Sequence, residues 1–249
     1  MQELKDEIKL RFEQFTSTWQ PELQAVVTQL AASEPVFFDS YLRLVSLNVW
    51  RVDILSQIFS SESLAFFLEG QNDALVSHVL ARMGAWRSAL KSLRSLLENV
   101  VFSLYFKDHP VELRLWGQGK FKPGFSSTIE YLRRHPNLDG VSDSLAGLDI
   151  FVHEYSTLSK AVHGSSPFQM TAGTGSTSLW TASTQSLGKW HTREKQVILA
   201  TNLVLMAFFR ENLQGAKHPQ LRKAISFAVP NAKHADVKAK LGIALSPAP

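Results

Sequence analysis

Along most of this chain apolar residues return every three or four positions, the spacing that lines one face of an α-helix. Leu4, Ile8, Phe12, Phe15 and Trp19 open the pattern and predict an amphipathic helix that Pro21 interrupts or restarts. Helical spacing continues over 22–32, and the step Ser33-Glu34-Pro35 breaks it. Residues 36–59 form a long apolar run whose polar points are Arg43, Arg51 and Asp53. Two shorter helices are predicted over 62–68 and 73–82, the second capped by Asn72. The clearest helix spans 85–106, where Leu93, Leu97, Val100 and Leu104 make a continuous stripe.

Proline disfavours helical geometry in the residue before it, so the His-Pro steps at His109, His135 and His218 read as punctuation. Between the first two lie a short helix with a glycine-rich connection over 111–124 and a helix over 125–134. Another helix is predicted over 144–162, with Phe151, Tyr155, Leu158 and Val162 on its buried face. Residues 164–188 are rich in Gly, Ser and Thr and too many for an ordinary connector. They read as a mobile loop or a small hairpin around Leu179-Trp180-Thr181, ahead of a last core helix over 192–213. The expected fold is all-α: one helical bundle over 1–214 with a long Gly/Ser/Thr-rich insertion, then a tail over 215–249.

Composition narrows the chemistry. The chain has 249 residues, 45% of them hydrophobic, and can bury one large core. It contains no cysteine, which excludes disulfides, thiolate metal sites and cysteine nucleophiles. The first dozen residues mix acids and bases and lack the apolar stretch of a secretion signal. The most apolar segment, 197–209, is too short for a bilayer and holds Thr201 and Asn202, so a cytoplasmic protein without a membrane span is expected. The net charge is +4, yet the last 35 residues carry six Lys/Arg against one acid. A basic tail either attracts nucleic acid or solvates a chain end.

Two polar constellations stand out. Tyr155, Ser159 and His163 follow one another at intervals of four along one helix edge, with Gly164 next. A half-buried histidine there serves as a base or a phosphate contact; equally, His163 satisfies the last helix carbonyls with Gly164 as the terminating residue. Arg87, Lys91, Arg94 and Glu98 form one stripe on the strongest helix, read either as an anion-binding strip or as a solvated face with one ion pair. No histidine pair has helical metal-site spacing, and neither a phosphate-binding loop nor a nucleophile elbow is present, so no metal or cofactor is expected.

The run Leu93-Arg94-Ser-Leu-Leu-Glu98, paired with the later Tyr155-Ser-Thr-Leu-Ser159-Lys-Ala-Val-His163-Gly, resembles a prokaryotic branch of the HEPN-like helical domains. The motifs cover roughly residues 85–165, and the resemblance implies a HEPN-like core over about 73–213. Nucleolytic members of that family carry Arg-x4–6-His on the later helix, and none of the eight histidines here has an arginine so placed. The resemblance therefore implies a module of bacterial defence or toxin–antitoxin type that binds nucleic acid or a protein partner, commonly as a homodimer. Two further classes stay open. One is a metal-independent ribonuclease with His163 as acid or base, Arg94 on the phosphorane charge, and Ser159 or Tyr155 positioning the phosphate. The other is a structural or oligomerisation protein.

Overall fold

The computed structural model describes residues 1–163, 179–215 and 217–246. Helices account for nearly all regular structure among them, and no strand is formed. Helix α1 (Gln2–Leu30) runs straight through Pro21 rather than stopping there. Proline removes one donor from the ladder, and the surrounding residues 16–18 and 20 are exposed, so water can serve the carbonyl left over. A single 3-10 turn over Ala31–Ser33 then leads into α2 (Glu34–Trp50), which accepts Pro35 in its first turn, where no donor is needed. A π-helical turn, Arg51–Leu55, and the short α3 (Ser56–Ile58) complete the predicted long apolar run.

The two helices expected over 62–68 and 73–82 are one, α4 (Ser61–Arg82), capped by Ser60 and not by Asn72. Gly70 in its middle lets α5 (Trp86–Asp108) approach closely; a Cβ there would lie 3.2 Å from Asn99 Cβ and Leu96 Cδ1, so these neighbours would have to give by a few tenths of an ångström. After α6 (Pro110–Gly117) and α7 (Phe125–Arg133), the predicted helix over 144–162 is split. A turn, α8 (Asp143–Ala146), is separated from α9 (Leu148–Val162) by Gly147 at φ +72°, where the chain touches Ala200 and Leu203.

The insertion falls mostly in 164–178, outside the described residues, and its predicted end is helical: α10 begins at residue 184 and runs Thr184–Phe208. Ahead of it, Thr181 donates its backbone N–H to Gly84 O and accepts from the Trp86 indole at 2.7 Å. From Val197 to Phe208, α10 is buried on every side, so it is the axis around which α2, α5 and α9 pack.

The basic C-terminal segment, expected as a tail, folds back. After α11 (Arg210–Leu213), helices α12 (Pro219–Ala228) and α13 (Asn231–Leu241) bury Leu221, Ile225, Val237 and Leu241, and α12 lies on α2. Its lysines face outward while every third or fourth residue is apolar, which makes it an amphipathic part of the same core.

Candidate functional site

Helices α5 and α9 run antiparallel, and the two predicted motifs meet across them. Arg94 donates through Nε to Ser159 Oγ at 3.1 Å, and through Nη2 to Tyr155 Oη at 2.7 Å and Glu98 Oε1 at 3.1 Å. Tyr155 in turn donates to Glu98 Oε1 at 3.2 Å, and Ser159 donates to its own helix at Tyr155 O. The Arg94 guanidinium also lies over the Tyr155 ring, 4.6 Å from its centroid, and Phe125 of α7 stacks parallel to that ring at 3.7 Å. Burial, with the Glu98 charge beside it, raises the Tyr155 phenol above its ordinary range and keeps it a neutral donor. The four residues singled out from two separate motifs thus form one hydrogen-bonded knot at the bundle surface.

The remaining predicted site residues lie at one end of this knot. Arg87, about two turns before Arg94, donates to the carbonyls of Ala161 and Val162 at 2.9 and 3.2 Å. The capping role expected of His163 is therefore filled by Arg87 from the neighbouring helix. His163 closes α9 with its backbone N–H on Ser159 O, and its side chain is exposed with no hydrogen bond to the knot. Lys91 is exposed on the same stretch of α5.

The buried face of α9 also differs from its predicted form. It passes through Leu148, Phe151, Glu154, Leu158 and Ala161, while Tyr155 and Val162 stand at its edge. Glu154 is buried and accepts from Arg193 of α10 at 2.8 Å, beside a shallow groove shared with Asp149, His153 and Thr192. Burial raises its carboxyl above the usual range, against the pull of Arg193.

A second cluster, absent from the sequence reading, lies in the core between α2 and α10. Arg43 is 1% exposed and clamps Glu194 Oε2 through Nε at 3.1 Å and Nη2 at 2.5 Å. Its Nη1 reaches Asp39, which also meets His191 Nε2 at 3.0 Å. Two turns further along, the Trp50 indole donates to Asn202, whose amide donates to Ser46. Burial pushes Glu194 up to about 7 despite Arg43, and its Oε1 is buried without a partner among the described residues. The sequence did carry a signal: Glu194 and Asn202 flank and interrupt a helix apolar all round, and Arg43 interrupts another, so each needed a buried partner.

Among the described residues no helix is long and apolar enough to cross a membrane. Compared with protein-family models, curated proteins and solved structures, the chain matches none.

Proposed function

We propose that the protein is a binding module rather than a nuclease, and that it takes RNA by its phosphates at the end of the α5–α9 face. The defence or toxin–antitoxin setting is the one the HEPN-like resemblance implies. One observation carries this reading: the hydrogen bonds of Arg94 run to Ser159, Tyr155 and Glu98. A guanidinium neutralised by its own carboxylate and held in an interhelical knot is a brace, poorly suited to meet charge developing on a reacting phosphate. Lys91, exposed beside it, is suited to neutralise phosphate, and the exposed His163 to hydrogen-bond it, without chemistry.

The test is incubation of the purified protein with labelled single-stranded RNA and a chelator, following both anisotropy and chain length for wild type, Lys91→Glu and His163→Ala. Expected is binding that weakens as salt rises, a loss on the order of tenfold in Lys91→Glu, and intact RNA throughout. Cleavage by wild type that His163→Ala abolishes would replace this reading with a metal-independent ribonuclease whose acid or base is His163. Neither binding nor cleavage, with a protein copurifying, would transfer the function to partner binding.

A further inference from the structure

Helix α1 stands apart from the bundle. It is 29 residues long, yet only Leu30 is buried, and Leu4, Ile8, Phe12 and Phe15 are each more than half exposed. These four begin a stripe that continues through Trp19, Leu23 and Val26 to Leu30. The intervals are four, four and three residues, repeated, which averages about 3.7 residues and keeps the stripe nearly straight along the helix. The other half of the stripe is partly covered: Trp19 and Leu23 are half-buried, and Val26 lies against Gly84 of the body. Helices packed on nothing are marginal in water, and an apolar stripe of this length is the surface on which such a helix is normally stabilised.

We infer that this stripe is covered by the same stripe of a second copy, the two α1 helices running antiparallel about a twofold axis near Phe15. A twofold interface must be self-complementary, and the spacing meets that demand. Reversing the helix about a point between Phe15 and Thr16 sets Phe12 level with Trp19 and Ile8 level with Leu23, and leaves the two copies of Phe15 within about one residue rise of each other. Arg11, on one flank of the stripe, comes within about one helical turn of Glu22 on the matching flank of the other copy.

Leu4, Ile8, Phe12 and Phe15, each more than half exposed, together with the half-buried Trp19 and Leu23, give up on the order of 1,000 Å² across the two copies, the low end for a specific dimer. An anionic bilayer is the less suited cover, because residues 2–30 carry three bases against five acids. The inference does not depend on RNA binding and uses none of the residues of the α5–α9 face.

The experiment is sedimentation of the full chain at micromolar concentration, for wild type and for Phe12→Glu/Phe15→Glu, with circular dichroism on both. Expected are a dimeric wild type and a monomeric variant whose thermal unfolding stays cooperative. A monomeric wild type, or a variant that remains dimeric, overturns the proposal; a monomer that pellets with vesicles of mixed neutral and anionic lipid makes the stripe a membrane anchor instead. Because the chain has no cysteine, direction can be read by oxidation. Ile8→Cys/Leu23→Cys should cross-link between copies and Ile8→Cys alone should not, whereas a disulfide from Ile8→Cys alone means parallel helices and sinks the twofold arrangement near Phe15.

Discussion

Two arginines organise this molecule in opposite ways. Arg43 is sealed between α2 and α10, with Glu194 as its buried counter-charge and Asp39 reaching in from the rim. Arg94 lies at the bundle surface between α5 and α9, its side chain 22% exposed, bonded to a carboxylate, a phenol and a hydroxyl. Both fasten one helix to another, but the consequences of disturbing them differ. Away from water, a charge that loses its partner has nothing to replace it, whereas at the edge water can substitute for any acceptor removed. The buried pair is thus a constraint on the fold, and the surface knot is a brace that chemistry or ligands can reach.

The largest effect is expected at the buried pair. Arg43→Met leaves Glu194 without its cation and should lower stability by about 3–5 kcal/mol, read from denaturant midpoints. Replacing both, Arg43→Met with Glu194→Leu, should restore most of that loss, because an apolar pair needs no solvent. A double variant as unstable as the worse single one would show that the seam depends on its charges after all.

At the surface knot the same operation should be milder. Arg94→Ala removes three hydrogen bonds and a cation–π contact and should cost about 2 kcal/mol, while Tyr155→Phe should cost about 1 kcal/mol. If Arg94→Ala destabilised as strongly as Arg43→Met, the contrast between the two sites would fail.

The pH dependence sharpens the same contrast. Burial raises the Glu194 carboxyl in the folded protein to about 7, above its ordinary 4.5. The folded state therefore holds this proton more tightly, and the stability it contributes is complete below the unfolded value and lost as pH rises through about 7. Relative to Glu194→Gln, wild type should lose stability between pH 4.5 and 7 and then level off, as paired unfolding curves would reveal. A difference that grows in favour of wild type across that window would contradict the assignment. The smallest effect is expected for Lys91→Glu, an exposed position, with stability within about 0.5 kcal/mol of wild type. A large loss there would mean that Lys91 braces the fold rather than serving a ligand.

The surface knot was legible in the sequence because its parts obey local rules. Arg94 and Glu98 are one helical turn apart, as are Tyr155 and Ser159, so each pair faces one way whatever the rest of the chain does. The buried seam was not, since Arg43 and Glu194 are separated by 151 residues and share no periodicity. Glu154 escaped for a related reason: a carboxylate on a helix reads as solvent-facing until Arg193 of another helix is brought to it. The basic end was misjudged as a tail because charge dominates its composition, while the apolar positions that dock it are spaced for a helix.

What the sequence determined by itself is the helical character of the chain and the limits of α5, α6 and α7, since periodicity and His-Pro breaks act over a few residues. It also determined the two motif faces, for the same reason. Which faces met, that α10 became the axis, that α12 closed over α2, and that Arg43 found Glu194 were decided only by the tertiary structure. Those contacts depend on how volumes and buried charges are satisfied jointly across helices far apart in the chain, and no local pattern records that.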